Sequence, residues 1–139
     1  MKPQESRIGN LVCYNGKVVK VEQITKRKIG YHTKPNETRM NYARLCEVEP
    51  IPITEELLLK IGFKKKRDGY LHYSDHNDEF SIKFDLGYAF IEYANLCFNP
   101  EDVTETNYGS SLEFPNTLHL HTLQNIWYLL TGKELEIKV

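Results

Sequence analysis

Three consecutive cations, Lys26-Arg27-Lys28, stand at the centre of the most basic stretch of this 139-residue chain. Lys17 and Lys20 precede them, Lys34, Arg39 and Arg44 follow, and Tyr14, Tyr31 and Tyr42 are interleaved. Cationic side chains neutralise phosphates and phenol rings stack on bases, so the mixture has the chemistry of a single-strand nucleic-acid groove. The residues expected to carry it are Lys17, Lys20, Lys26, Arg27, Lys28 and Tyr31. The competing readings are a solvated basic face and a face that docks on the acidic remainder of the chain.

Other groupings are less telling. His72, Asp75, His76, Asp78 and Glu79 form the densest set of imidazoles and carboxylates, and divalent metals accept both. A polar hairpin turn explains the same residues, so no metal site is assigned. His119 and His121 alternate with Leu118 and Leu120, which on a strand puts both imidazoles on the solvent face. Glu55-Glu56 opens a helix, where the dipole favours acids, and adjacent helical residues point about 100° apart, which suits no acid–base pair. Neither a phosphate-binding glycine loop nor a nucleophile elbow is found. The chain is therefore read as non-enzymatic, with no cofactor.

The formal charge of −1 conceals a division. Through Glu49 there are ten Lys or Arg against five Glu, and from Pro50 onward eight against fourteen acids. Opposed charge on two small modules suggests different partners, or modules that face one another. The overall pI of about 6.5 argues against tight indiscriminate binding of nucleic acid by the whole protein. Cys13, Cys46 and Cys97 are odd in number and form no zinc spacing. The opening MKPQESRIGN has no apolar run, and no stretch approaches membrane-spanning length. A cytoplasmic protein without a membrane partner is expected.

The elements that must position these residues follow from local pattern. Leu11–Tyr14 and the β-branched run Val18, Val19, Val21, Ile24 flank Asn15-Gly16, the pair that favours a hairpin turn. Ile29-Gly30-Tyr31 and Tyr42–Val48 supply further short strands. Residues 1–49 are therefore expected to form an SH3-like small β-barrel. Pro50-Ile51-Pro52-Ile53 marks a stiff joint. Thr54 then caps a helix of about two turns that ends at Gly62.

Residues 50–139 should make the second module. Asp68-Gly69 and Leu86-Gly87 are turns, and Phe80, Ile82 and Phe84 alternate with Ser81 and Lys83 as on a strand with one buried face. Ser74–Asp78 reads as a polar loop and Asn99–Ser111 as a long one. Leu123, Ile126, Trp127 and Leu130 form one helical stripe, stopped at Thr131-Gly132. A strand at Leu118–Leu120 leads into that helix, and Glu134–Ile137 makes a last short strand or tail. The expected fold class is α+β: the barrel, then an antiparallel sheet packed by the short helix and the C-terminal helix.

Both ends carry a resemblance. Ile8–Val21 with its Asn15-Gly16 turn, Pro50-Ile51-Pro52-Ile53-Thr54-Glu55-Glu56, and His121–Leu135 around Gln124-Asn125-Ile126-Trp127 together resemble a family of small uncharacterised proteins of anaerobic gut bacteria and their phages and prophages. The similarity is good at the two ends and poor between them. It implies a phage-related accessory or structural role and brings no activity to any residue. The function expected is thus a binding or assembly module acting on a protein partner or on a second copy of itself. The alternative is a nucleic-acid-binding accessory protein acting through the basic barrel.

Overall fold

The computed structural model describes residues 6–75, 78–85, 88–95, 108–115, 118–135 and 137. The class is α+β, with antiparallel sheets and, among the described residues, two α-helices. The chain divides into two compact units. The first comprises residues through Pro52 together with His119–Leu135, and the second is Ile53–Leu118 with the last four residues. The second unit is thus inserted, in sequence, between the N-terminal strands and the helix that completes their unit.

In the first unit, β1 (Leu11–Tyr14) and β2 (Lys17–Lys20) form the expected hairpin, with Val12 opposite Val19. Asn15 and Gly16 take positive φ angles of 49° and 73°, the left-handed pair that a type I′ turn requires. A separate three-stranded sheet holds β3 (Gln23–Ile24), β4 (Lys28–Tyr31) and β5 (Asn41–Arg44) in that order. Val12, Val19, Val21, Ile29, Tyr31, Ala43, Leu45 and Val48 bury against one another as a single core. Two further ties run within this unit. Cys13 and Glu49 exchange both backbone hydrogen bonds at 2.8 Å, and Val21 N–H donates to the Asn10 carbonyl at 2.8 Å.

The C-terminal helix α2 (Leu120–Thr131) belongs to this unit. It is expected in the second module, and its contacts group it with the N-terminal strands. Its polar side chains decide where it sits. Gln124 accepts from the Leu11 backbone N–H at 2.8 Å and donates to the Gly9 carbonyl at 3.2 Å. Asn10, fully buried, donates to Asn125 Oδ1 at 2.8 Å. These bonds satisfy strand-edge groups that burial would otherwise leave unpaired. Gly132, at φ 71°, closes the helix as a left-handed cap. Leu120 is already helical, so the expected strand before the helix shrinks to one bridge between His119 and Pro52.

In the second unit, Thr54 Oγ1 accepts from Leu57 N–H at 3.1 Å and starts α1 (Glu55–Lys60). Gly62, at φ 110°, turns the chain out of it. A five-stranded meander follows, of order β10-β9-β8-β7-β6: β6 (Lys64–Lys65), β7 (Leu71–Asp75), β8 (Asp78–Asp85), β9 (Tyr88–Asn95) and β10 (Tyr108–Pro115). The row Leu71, Ile82, Ile91 is buried, together with Phe80, Ala89, Leu58, Ile61 and Phe63. The sheet consumes residues expected in loops. Asp75 and Asp78 are paired strand residues, and Tyr108–Ser111 begin β10. Residues 99–107 of the expected long loop, the Leu86-Gly87 turn, His76, Cys97 and Glu136 lie outside the described residues. Among the described residues no helix is long and apolar enough to cross a membrane.

Candidate nucleic-acid interface

The three-stranded sheet of the first unit has two contrasting faces, and its register assigns them. Ile24, Ile29 and Ala43 lie opposite one another and face the core. The alternate positions face outward in two rows. One row is Gln23, Gly30 and Tyr42, and the next is Lys28 and Arg44. Lys28, Arg44, Tyr42 and Gln23 are all exposed. The turn from β3 into β4 is tight: Thr25 N–H donates to the Lys28 carbonyl at 2.9 Å, and Lys28 N–H donates to Thr25 Oγ1 at 3.0 Å. Lys26 and Arg27 occupy its corners and project into solvent.

This arrangement gathers Lys26, Arg27 and Lys28 with Arg44 and Tyr42. Lys17 and Lys20 are exposed on β2, in the other sheet, and Lys20 contributes to the positive field at Glu134. Tyr31 is the correction. It faces the core, only 8% exposed, with its ring 5.9 Å from that of Tyr14. Burial pushes its phenol pKa up. Tyr42, 52% exposed, is the ring this face presents. The signal that separates them is parity: residues one step apart on a strand point to opposite faces, and Tyr31 falls with Ile29 while Tyr42 falls with Arg44.

Two acids of the same stretch, Glu22 and Glu37, are engaged elsewhere. Glu22 pairs with His32, and Glu37 accepts from the Thr33 hydroxyl at 2.7 Å and from the Asn41 amide. Those bonds, led by the Thr33 hydroxyl, hold the Glu37 carboxyl below the usual glutamate range. Among the described residues Lys26, Arg27, Lys28, Arg39 and Arg44 enter no ion pair.

The histidine groupings resolve differently. His72 turns Nε2 toward Asp68 at 3.1 Å and Nδ1 toward Glu79 at 2.9 Å and Ser81 Oγ at 2.8 Å. Lys66 Nζ lies 3.7 Å from the same Glu79 oxygen. A serine, an imidazole and an aspartate are thus in series, the order of a nucleophile, base and orienting acid. However, Glu79 competes with Ser81 for one ring nitrogen, and Ser81 is buried in mid-strand. The network satisfies its own polar groups. Among the described residues no group of three His, Cys, Asp or Glu is placed to hold a metal ion. His121, expected to face solvent, is buried in the first turn of α2 with its ring stacked 5.7 Å from His119.

Comparison with protein-family models, with curated proteins and with solved structures finds no match to this chain.

Proposed function

We propose that the protein is a non-enzymatic binding module and that the outer face of β3–β5, with its Lys26-Arg27 turn, engages nucleic acid. The observation that carries this reading is the set of exposed cations, Lys26, Arg27, Lys28 and Arg44, without carboxylate partners among the described residues and beside an exposed tyrosine. Side chains used only for solubility are ordinarily interspersed with acids, whereas a one-sign patch attracts a polyanion. The paired backbone bonds between Cys13, on β1, and Glu49, which follows β5, support reading the two small sheets as halves of an SH3-like barrel. The free thiols Cys13 and Cys46 suit a reducing, cytoplasmic setting. A phage-related accessory role, which the resemblance of the chain's two ends implies, accords with such a module.

The test is a combined Lys26→Ser, Arg27→Ser, Lys28→Ser variant, titrated with labelled oligonucleotides across a salt series. Binding should weaken for every sequence. The slope of log affinity against log salt should fall by about 0.7 for each phosphate of a single strand that the variant no longer neutralises. Unchanged affinity removes the turn from the site.

A second reading, assembly with a protein partner or a second copy, is favoured by one feature of the same unit. Leu129 is 84% exposed on α2, beside the exposed Tyr128, and Ile8 is 58% exposed. Concentration-dependent self-association with no salt-sensitive oligonucleotide binding would favour it.

A further inference from the structure

Lys28 and Arg44 are direct cross-strand partners on the exposed face of β4–β5. Opposed residues of an antiparallel pair hold their β carbons about 4.5–5.5 Å apart, and like charges so placed destabilise the sheet. Among the described residues neither cation enters an ion pair. A bound anion between them would remove that repulsion.

The neighbouring row supplies a second element. Tyr42 Oη donates to Gln23 Oε1 at 3.2 Å, although Gln23 is on β3 and Tyr42 on β5. Strands two apart in a sheet are separated by roughly 9.5 Å. The ring must therefore lean across β4 rather than stand up from the sheet. Gly30 is the β4 residue of that row, and its lack of a side chain leaves room for its neighbours. A β carbon there would lie 2.8 Å from Met40 Sδ and 3.0 Å from Gln23 Cβ. The glycine thus admits the Met40 and Gln23 side chains on this face, and the Tyr42 ring, tethered by its hydroxyl, remains 52% exposed. Two residues along a strand span about 7 Å, so the cation pair lies one row from the ring.

We infer that this face is a nucleotide subsite for single-stranded nucleic acid, in which Lys28 and Arg44 together hold a backbone phosphate and Tyr42 stacks the adjoining base. The inference rests on the nucleic-acid reading above and narrows it. A duplex offers the phosphate but keeps its bases stacked internally, so only an unpaired strand uses both rows. Lys26 and Arg27 continue the cationic track beyond the pair.

The experiment measures anisotropy of labelled oligo(dT), oligo(U) and a mixed-sequence duplex of equal length with the full chain. Tyr42→Ala should weaken binding of one or both single strands about five- to hundredfold, the range of one base–aromatic stack. It should leave duplex affinity and the salt slope unchanged, because a stack releases no counterions. Tyr42→Phe keeps the ring and should retain most single-strand affinity. Lys28→Glu should weaken single strands and duplex alike, while the thermal midpoint stays level or rises because the like-charge pair is gone. Single-strand affinity untouched by Tyr42→Ala overturns the subsite while leaving the nucleic-acid reading standing, and equal losses for duplex and single strand do the same. Wild-type protein that binds neither form at low salt overturns both.

Discussion

Arg7 and Glu134 grip each other through two parallel hydrogen bonds across 127 positions of sequence, Nη1 to Oε1 at 2.5 Å and Nη2 to Oε2 at 3.0 Å. The same guanidinium donates through Nε to Asn125 Oδ1 at 3.1 Å and lies 4.2 Å over the Tyr128 ring. A planar fork meeting a carboxylate in this way is the strong form of ion pair. It ties the segment before β1 to the end of α2, which the chain reaches only after completing the second unit.

The hydrogen bonds from Arg7, and then its charge, hold the Glu134 carboxyl below the usual glutamate range. A lowered folded-state pKa stabilises the fold fully above the ordinary glutamate value, and that contribution is lost as pH falls through the lowered one. Glu134→Gln should therefore cost about 1 kcal/mol near neutrality, at the upper end for exposed pairs, and less in acid. Urea unfolding followed by Trp127 emission at pH 7 and pH 3 reads this. Identical pH dependence in variant and wild type would refute it.

Gln124→Ala leaves the Leu11 amide and the Gly9 carbonyl without the partners they have in the fold. A stranded buried group costs about 1–3 kcal/mol, so this variant should lose roughly 2 kcal/mol or more. The Leu11 amide should also exchange faster with solvent. A loss under about 0.5 kcal/mol, typical of surface positions, would mean that water replaces the glutamine.

Trp127 is fully buried and is the largest side chain of the buried set. Trp127→Ala should cost on the order of 3–5 kcal/mol, as for other buried aromatic truncations. Native emission should be blue-shifted and move red on unfolding. Emission near that of free tryptophan in the folded protein would contradict the assignment.

Asp68 Oδ1 accepts from the Tyr70 backbone N–H at 2.9 Å, and its other oxygen faces His72. The Tyr70 amide first, and His72 after it, hold the Asp68 carboxyl below the usual aspartate range. The turn should therefore keep its cap through mildly acid solution and lose it only as pH falls through the lowered value. An NMR titration of the Asp68 carboxyl carbon should show a depressed midpoint. Asp68→Ala should speed exchange at the Tyr70 amide, and Asp68→Asn, which retains an accepting oxygen, should not. A midpoint in the ordinary range would remove the cap from the account.

Local pattern determined the pieces. Asn15-Gly16 specified its hairpin because few other pairs accept two consecutive positive φ angles. Thr54 specified the start of α1, and Gly132 the end of α2, because helix termini expose backbone groups that particular residues satisfy. Alternation at Phe80, Ile82 and Phe84 announced a strand with one buried face.

Partnership is what only the tertiary structure decided. The stripe Leu123, Ile126, Trp127 and Leu130 says that α2 must cover something apolar, since periodicity reports a face and not what lies against it. The choice of β1 rests on Gln124 and Asn125 meeting Leu11 and Asn10, groups more than a hundred positions away. In the same way, the composition of the basic stretch announced cations and tyrosines together. Register alone set Lys28 against Arg44 and turned Tyr42 outward while Tyr31 entered the core. Parity groups Tyr31 with Ile29 and Tyr42 with Arg44, but a one-residue slip would exchange the faces, and the free energy that holds the register is the burial of Ile29 and Ala43 against residues elsewhere in the chain.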